Sequence, residues 1–574
     1  MAEMRPSREL LPPEDRPDKA GRKVFALLEE ALRDKNAQGL HEKWTRNYRL
    51  GRNKSWKSQA TPGFPLANAN FLHAHRQRTV NVLTDNHPAF NVTMAGETEN
   101  EEACRTIERL ARHWWNEQEQ QAVFERSVIN GETYGAAIEK VVFDPDMEYG
   151  LGDVRSIVVD PFHFAVYPTD CLDAQEAEAV LHFRPMSLRE AARRWPDKAA
   201  ELRSDAAVLG ELHDARKELA GGDGSLRGMA ARFGDVVRYL RNAAPGSGPA
   251  GDALLVCECW AKDYTMTQDG PKYPGCIRRV TVANGGRLVL EDRGNPSVNP
   301  ELSLEEAAKT YLFDRFPFTL VNSITDPSNI WGASDFEQLE SLQREINKCL
   351  SQLTYHKDRC ARPKIVNPRD SGVHNQAFTN RLGVINPTSM AAAQGIRYLE
   401  FANNSKDIES VLGIYKELFH QIAGAYDLEQ ARDQANPVIG HQAISMLLEQ
   451  AATMMRGKIR NYSRLIRERG RMFISHAQNW YTEKRWISFS EDGRRKSLPV
   501  LGEALRVPAR LAVVSGSTMP SSKVQRREEA LALYEMGAID RRELLEKLDW
   551  PGWADLAARM DAQHPGEESR RASV

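Results

Sequence analysis

From about His441 to Tyr481 the apolar positions recur at helical intervals. Met455, Ile459, Tyr462, Ile466, Phe473, Ala477 and Trp480 fall on one stripe, and no proline interrupts the chain between Pro437 and Pro499. A helix of about 40 residues spans roughly 60 Å, more than a globular domain ordinarily needs. Arg456, Arg460, Arg464, Arg467 and Arg471 form a second stripe beside the first, with Lys458 and Arg469 adding charge. Glu468 is the only acid between Met454 and Phe473, so the segment is strongly basic. Two readings stay open for the arginine row: a solvated or subunit-facing side of a long helix, or direct contact with phosphate.

Upstream the pattern is mixed. Val24 to Leu40 and Glu101 to Ile129 read as helices, the second with Ile107, Leu110, Trp114 and Trp115 on one face. Ala136 to Phe143, Val154 to Val159, Leu254 to Lys262, Cys276 to Val282 and Arg287 to Leu290 read as strands, and Asn284-Gly285-Gly286 joins the last two as a hairpin turn. Ala199 to Ala253, rich in Gly, Ala and Asp, reads as a long surface insertion. The class is α+β.

From Ser334 helices dominate. Ser334-Asp335-Phe336-Glu337 is a capping box opening a helix to about Cys360, lined by Phe336, Leu339, Ile346, Leu350 and Leu353. Pro363, Pro368 and Pro387, with Gly372, Gly383 and Gly395, mark a compact segment holding short strands at Lys364 to Val366 and Arg397 to Phe401. A second helix starts near Ser405, with Asp407 in its first turn, where the dipole favours an anion, and with Ile408, Val411, Leu412, Tyr415, Leu418, Phe419 and Ile422 as its apolar set. Ala425 to Gly440 is a linker carrying Asp427, Glu429 and Asp433 around a lone Arg432. After the long helix, Ser521 to Met536 closes at Gly537, and Asp540-Arg541-Arg542-Glu543 is another capping box, its helix ended by Pro551. Residues 1–23 and 563–574 read as disordered tails.

Composition narrows the function. A formal net charge of -2 and a pI near 6.7 exclude a generally basic nucleic-acid binder, so any work on DNA must rest on local charge or weak contact. The seven cysteines contain no C-x-x-C pair and read as free thiols of a reducing compartment. Cys257 and Cys259 share one strand face as small buried residues rather than metal ligands. No apolar run reaches the ~18 residues of a membrane span.

Four passages, in this order, resemble the portal (head-tail connector) proteins of tailed double-stranded DNA bacteriophages, especially the short-tailed type. They are Val128-Ile129-Asn130-Gly131-Glu132-Thr133-Tyr134-Gly135 with Asp160-Pro161-Phe162; Phe316-Pro317-Phe318 with Trp331-Gly332-Ala333-Ser334 and Leu342-Gln343-Arg344-Glu345-Ile346-Asn347; the basic helix; and Ser515-Gly516-Ser517-Thr518-Met519-Pro520 with Tyr534-Glu535-Met536-Gly537-Ala538-Ile539-Asp540 and Leu544-Leu545-Glu546. The resemblance implies a portal fold with a mixed α/β wing (24–332, returning at 483–519), a stem of two helices (333–360 and 405–424), a small β-containing clip (361–404), a channel loop (425–440), a long spine helix (441–482) and a helical crown (520–562). It also implies a homo-oligomeric ring of twelve subunits at one capsid vertex of the virion, assembled in the host cytoplasm, through which DNA is packaged and ejected irrespective of sequence. Its implied partners are the large terminase packaging ATPase, the major capsid and scaffolding proteins, and tail adaptors; a membrane and a cofactor are not among them.

That job fits the acidic linker. A channel passing DNA both ways cannot hold phosphates tightly, because each neutralised phosphate adds affinity by counterion release. Asp427, Glu429 and Asp433 are therefore expected to line a low-friction constriction, with Arg432 the one attractive contact, or else to pair with neighbouring subunits. The arginine row is then expected to meet carboxylates of the next subunit.

Enzyme signatures are lacking: the chain has no G-x-x-x-x-G-K-[ST], G-x-S-x-G or H-E-x-x-H. Asp144, Asp146 and Asp153 lie near turns and could hold a cation, but solvated turn carboxylates are the commoner case. The alternative from another class is a nucleic-acid-processing enzyme or motor subunit with the arginine row as a DNA track, which would require ATP or a metal.

Overall fold

The computed structural model describes residues 9–54, 64–85, 87–88, 90–94, 101–204, 253–268, 270–361, 364–379, 383–399, 405–424, 441–491, 494–507, 509–513, 523–539, 544–545 and 548. The chain divides into two units, one of Met1–Arg46, Arg76–Asp335 and Ala452–Val574, the other of Asn47–His75 and Phe336–Ala451.

The first unit holds α1 (Pro17–Ala37), most of α2 (Leu40–Gly51) and α3 (Phe71–Thr84), β1 (Phe90–Met94), α4 (Glu101–Glu117), α5 (Gln120–Tyr134), β2 (Ala136–Asp144), β3 (Asp153–Val159), β4 (Phe164–Tyr167), β5 (Ala179–Ser187) and α6 (Leu188–Arg194). It continues through β6 (Ala253–Lys262), β7 (Met266–Thr267), β8 (Gly270–Pro271), β9 (Ile277–Ala283), β10 (Leu288–Gly294), α7 (Leu304–Ala307), β11 (Phe318–Asn322), β12 (Ile324–Asp326) and β13 (Asn329–Ala333).

The main sheet is antiparallel, in the order β10-β9-β6-β5-β4. Alternation gives it two faces. Leu181, Phe183, Cys257, Cys259, Val280 and Val282 form one core with Val24, Leu28 and Leu32 of α1. The Asn284-Gly285-Gly286 turn joins β9 to β10 as expected, and here glycine is required: Gly286 has φ +76, and a Cβ on it would lie 2.4 Å from the Gly21 carbonyl oxygen of α1. A second sheet, β11-β2-β3, packs with α4 and α5.

Two expectations are corrected in this unit. The segment 101–129 is not one helix, since Glu119 takes a left-handed conformation (φ 46) and separates α4 from α5. The N-terminal tail does not run to residue 23. Leu11 is buried in the α1 core, Arg278 Nη1 donates to the Pro12 carbonyl (2.8 Å), and Tyr273 donates to Glu14 (2.7 Å), so a polar, proline-rich stretch is held as a strap against the sheet. The expected insertion lies mostly outside the described residues, as do residues 563–574 and the capping box at Asp540.

The second unit holds α8 (Asp335–Ala361, whose first residue belongs to the first unit), β14 (Ile365–Val366), α9 (Met390–Gly395), β15 (Arg397–Tyr398), α10 (Ser405–Ile422) and the start of α11 (His441–Trp480). β14 and β15 pair antiparallel, Ile365 opposite Tyr398. Phe336, Leu339, Ile346 and Cys349 of α8 share a core with Leu412 and Phe419 of α10 and with Leu50 and Leu72. Residues 47–75 thus group with α8 and α10 in this unit. A polar stripe on α8 explains this. The side-chain oxygens of Gln343, Asn347 and Ser351 accept from the backbone N–H groups of Leu72 (3.2 Å), Ala69 (3.0 Å) and Ala67 (2.9 Å). The remaining elements are β16 (Arg485–Glu491), β17 (Arg494–Val500), β18 (Ala509–Val513, paired with β1) and α12 (Lys523–Glu535).

Candidate spine and stem surfaces

The long helix predicted from His441 to Tyr481 is α11, and its C-terminal half is a buried spine. Ile459, Tyr462, Ile466, Phe473 and Ala477 are buried as the stripe requires, and Leu465, Met472 and Ile474 are buried as well. Phe473 stacks on Trp114 at 4.1 Å, and Trp480 stacks on Phe143 at 5.2 Å. Polar side chains on this half satisfy loop backbone: Ser475 accepts from Leu312 N (2.9 Å), Asn479 Oδ1 from Asn299 N (3.3 Å), and Gln478 donates to the Leu505 carbonyl (2.7 Å). Such partners leave no periodic signal in sequence.

The basic residues of the spine separate into two sets. Arg469 is fully buried: its Nε donates to Glu139 Oε2 (2.7 Å), Nη2 pairs with Glu139 Oε1, and Nη1 donates to the Gln120 carbonyl (2.8 Å). Lys458 is buried between Glu132 Oε2 (2.5 Å) and Asp335 Oδ2 (2.6 Å). Burial alone would lower the Lys458 pKa, but the Glu132 and Asp335 charges outweigh it and leave it raised. Glu132 also accepts from Ser323 (2.8 Å) and Tyr462 (3.0 Å), and Ser334 donates to its carbonyl (2.5 Å). Gly131 makes room for this, since a Cβ there would lie 2.2 Å from Tyr462 Oη.

The arginine row is the second set. Arg456, Arg460 and Arg464 are exposed, and Arg467 and Arg471 half-buried. Arg464 pairs with Asp173 at 2.8 Å, while Arg467 (3.5 Å) and Arg471 (3.2 Å) pair with Glu468, which accepts from Tyr311. Part of the row is therefore neutralised within the chain. Asp427, Glu429, Arg432 and Asp433 lie outside the described residues.

α10 carries two apolar faces. Leu412 and Phe419 point into its own core, whereas Val411 (41% exposed), Ile414 (56%), Leu418 (39%) and Ile422 (47%) form an outer stripe at spacings of three, four and four. Asp144 pairs with Arg155 at 3.6 Å, and Asp153 accepts from Tyr481 (2.6 Å) and Gln118 (3.0 Å). Among the described residues no three His, Cys, Asp or Glu side chains cluster as a metal site, and no helix is long and apolar enough to cross a membrane. Burial raises the Cys257 pKa and pushes Cys259 up to about 12.

Residues 300–573, which include α8, α9, α10 and α11, match the family described as Phage P22-like portal protein. The match is to a structural, non-enzymatic component of phage particles, at the capsid vertex. It supports a phage portal protein, a head-tail connector of a type compatible with short-tailed phages, and the family implies a capsid-associated oligomeric ring. No curated protein matches the chain.

Proposed function

We propose that this chain is the subunit of a ring-shaped DNA channel at one capsid vertex, through which the genome is packaged and ejected. The ring is a dodecamer, docks the packaging ATPase through its clip, and later binds tail adaptors. The outer stripe of α10 carries the reading. Four aliphatic side chains in a row, on a helix whose other face already fills a core, need an apolar partner to leave water, and a neighbouring copy in a closed ring supplies one.

Negative-stain microscopy of the purified protein tests this. Rings with a hole of at least a duplex width, ~20 Å, are expected, and Ile414→Asp with Leu418→Asp should leave unassembled subunits of unchanged secondary structure. Wild-type monomers or filaments would overturn it. The acidic linker supplies the low-friction lining: replacing Asp427, Glu429 and Asp433 together by Lys should slow or stall packaging, and normal packaging in that variant removes this part of the proposal. Arg460, exposed on α11, is assigned to carboxylates of the next subunit. The ring passes DNA without ATP or metal chemistry of its own.

A further inference from the structure

The α1-distal face of the main sheet carries charge that the portal reading does not use. Trp260 of β6, Arg279 of β9 and Arg293 of the edge strand β10 stand in one row across three adjacent strands. The next row holds His182, Glu258, Thr281 and Glu291. Lys140 of β2 lies over this face, paired with Glu258, 5.5 Å from the Trp260 ring. Glu291 pairs with both Arg279 and Arg293, the latter through Nε at 2.6 Å. Arg184 of β5 pairs with Glu190 of α6 at 3.5 Å, and Arg194 ends α6 over the Trp195 ring at 5.2 Å. Five basic groups thus share this face with three carboxylates.

The floor of the cluster has donors to spare. Arg279 is 6% exposed and Trp260 1%, yet Arg279 Nε and Trp260 Nε1 find no acceptor among the described residues. A buried N–H without an acceptor costs about 1–3 kcal/mol, so two on neighbouring strands call for something to accept. The rim is open to solvent, with the Arg293 side chain 52% exposed and Arg194 exposed.

We propose that this face is an oxyanion site of phosphate type, with Arg293 and Arg194 at its rim and the Arg279 and Trp260 N–H groups at its floor. Phosphate fits better than a halide, because planar guanidinium groups match an oxyanion bidentately. Glu291, lying between two of the arginines, favours a weak, exchangeable site. The proposal stands apart from ring formation and the DNA channel.

Thermal unfolding of the full chain in rising inorganic phosphate, with ionic strength held constant by sodium chloride, tests it. A saturable rise in Tm is expected. Arg194→Gln with Arg293→Gln, both replaced at the exposed rim, should weaken the apparent affinity by at least about tenfold. Fluorescence anisotropy of a short DNA duplex distinguishes the sources: binding lost in the same variant assigns the site to backbone phosphates, and phosphate saturation without duplex binding assigns it to a free oxyanion. No shift beyond that in chloride, or an equal shift in the double variant, would overturn the proposal. A circular dichroism spectrum like that of the wild type shows that the variant is folded.

Discussion

Replacing Arg469 by Met removes a guanidinium that is 0% exposed and leaves Glu139, 1% exposed, without its main counter-charge. Met keeps most of the aliphatic volume near the Trp115 and Phe124 rings, so the loss is mainly electrostatic. The remaining carboxylate keeps only the Ser127 hydroxyl as a donor from that cluster, and the Gln120 carbonyl loses its Arg469 donor. Breaking a buried pair from one side costs about 3–5 kcal/mol. With an m-value of about 3 kcal/mol/M in urea, the midpoint should fall by about 1–1.7 M. The double variant R469M/E139L removes both charges and should recover more than half of that loss, because a buried pair replaced by apolar groups is often near neutral. Urea melts followed by tryptophan fluorescence, together with hydrogen exchange of α11, make the measurement. A loss within 0.5 kcal/mol, roughly the scatter of surface substitutions, would refute the reasoning; a double variant no better than the single would show that the unpaired carboxylate is not the cause.

Gly131→Ala drives a Cβ to 2.2 Å from Tyr462 Oη and should cost about 1–3 kcal/mol; a double-mutant cycle with Tyr462→Phe should give clear coupling, and additivity would contradict the clash. Deleting residues 1–16 takes Leu11 out of its core and removes the Pro12 and Glu14 partners, so Tm should fall by the equivalent of about 2 kcal/mol or more. Burial, foremost, holds His41 and His182 down to about 3 and His476 down to about 4. Each is neutral when folded and takes up a proton on unfolding below about pH 6.5, so this stability is complete above that pH and is lost as pH falls toward 4. Each histidine should contribute a slope of about 1.4 kcal/mol per pH unit in that window, and His476→Gln should remove one such increment from melts between pH 6 and pH 4.

Periodicity made α11, α8 and α10 legible. The apolar stripe of α11 needed no tertiary knowledge, because a 40-residue helix repeats its period many times. What sequence hid was polar. Gln343, Asn347 and Ser351 look like a solvated helix side, yet they are covered by residues 64–72 through backbone hydrogen bonds that any sequence there could make. Arg469 and Lys458 differ from the surface arginines only through Glu139, Glu132 and Asp335, at least 123 residues away in the chain. The two faces of α10 were legible as a single broad apolar set, Ile408 to Ile422, but only the packing of Leu412 and Phe419 separates the covered face from the open one. The same limit held for the strap at residues 9–16, whose composition resembles a tail.

None of the seven cysteines forms a disulfide, and Cys360 alone is exposed, in the last turn of α8. Cys104, Cys257, Cys259 and Cys349 are buried; of the two half-buried thiols, Cys171 is pushed up to about 11 by burial and Asp170, and Cys276 is raised by burial and Asp263. The thiolate is the form that alkylates, so a maleimide dye added briefly near neutral pH should report on residue 360 without any mutagenesis. If copies of the chain close into a ring, each ring carries a circle of identical dyes at the ends of its α8 helices. Self-quenching between them would then turn a native residue into an optical counter of assembly, read in solution and in real time.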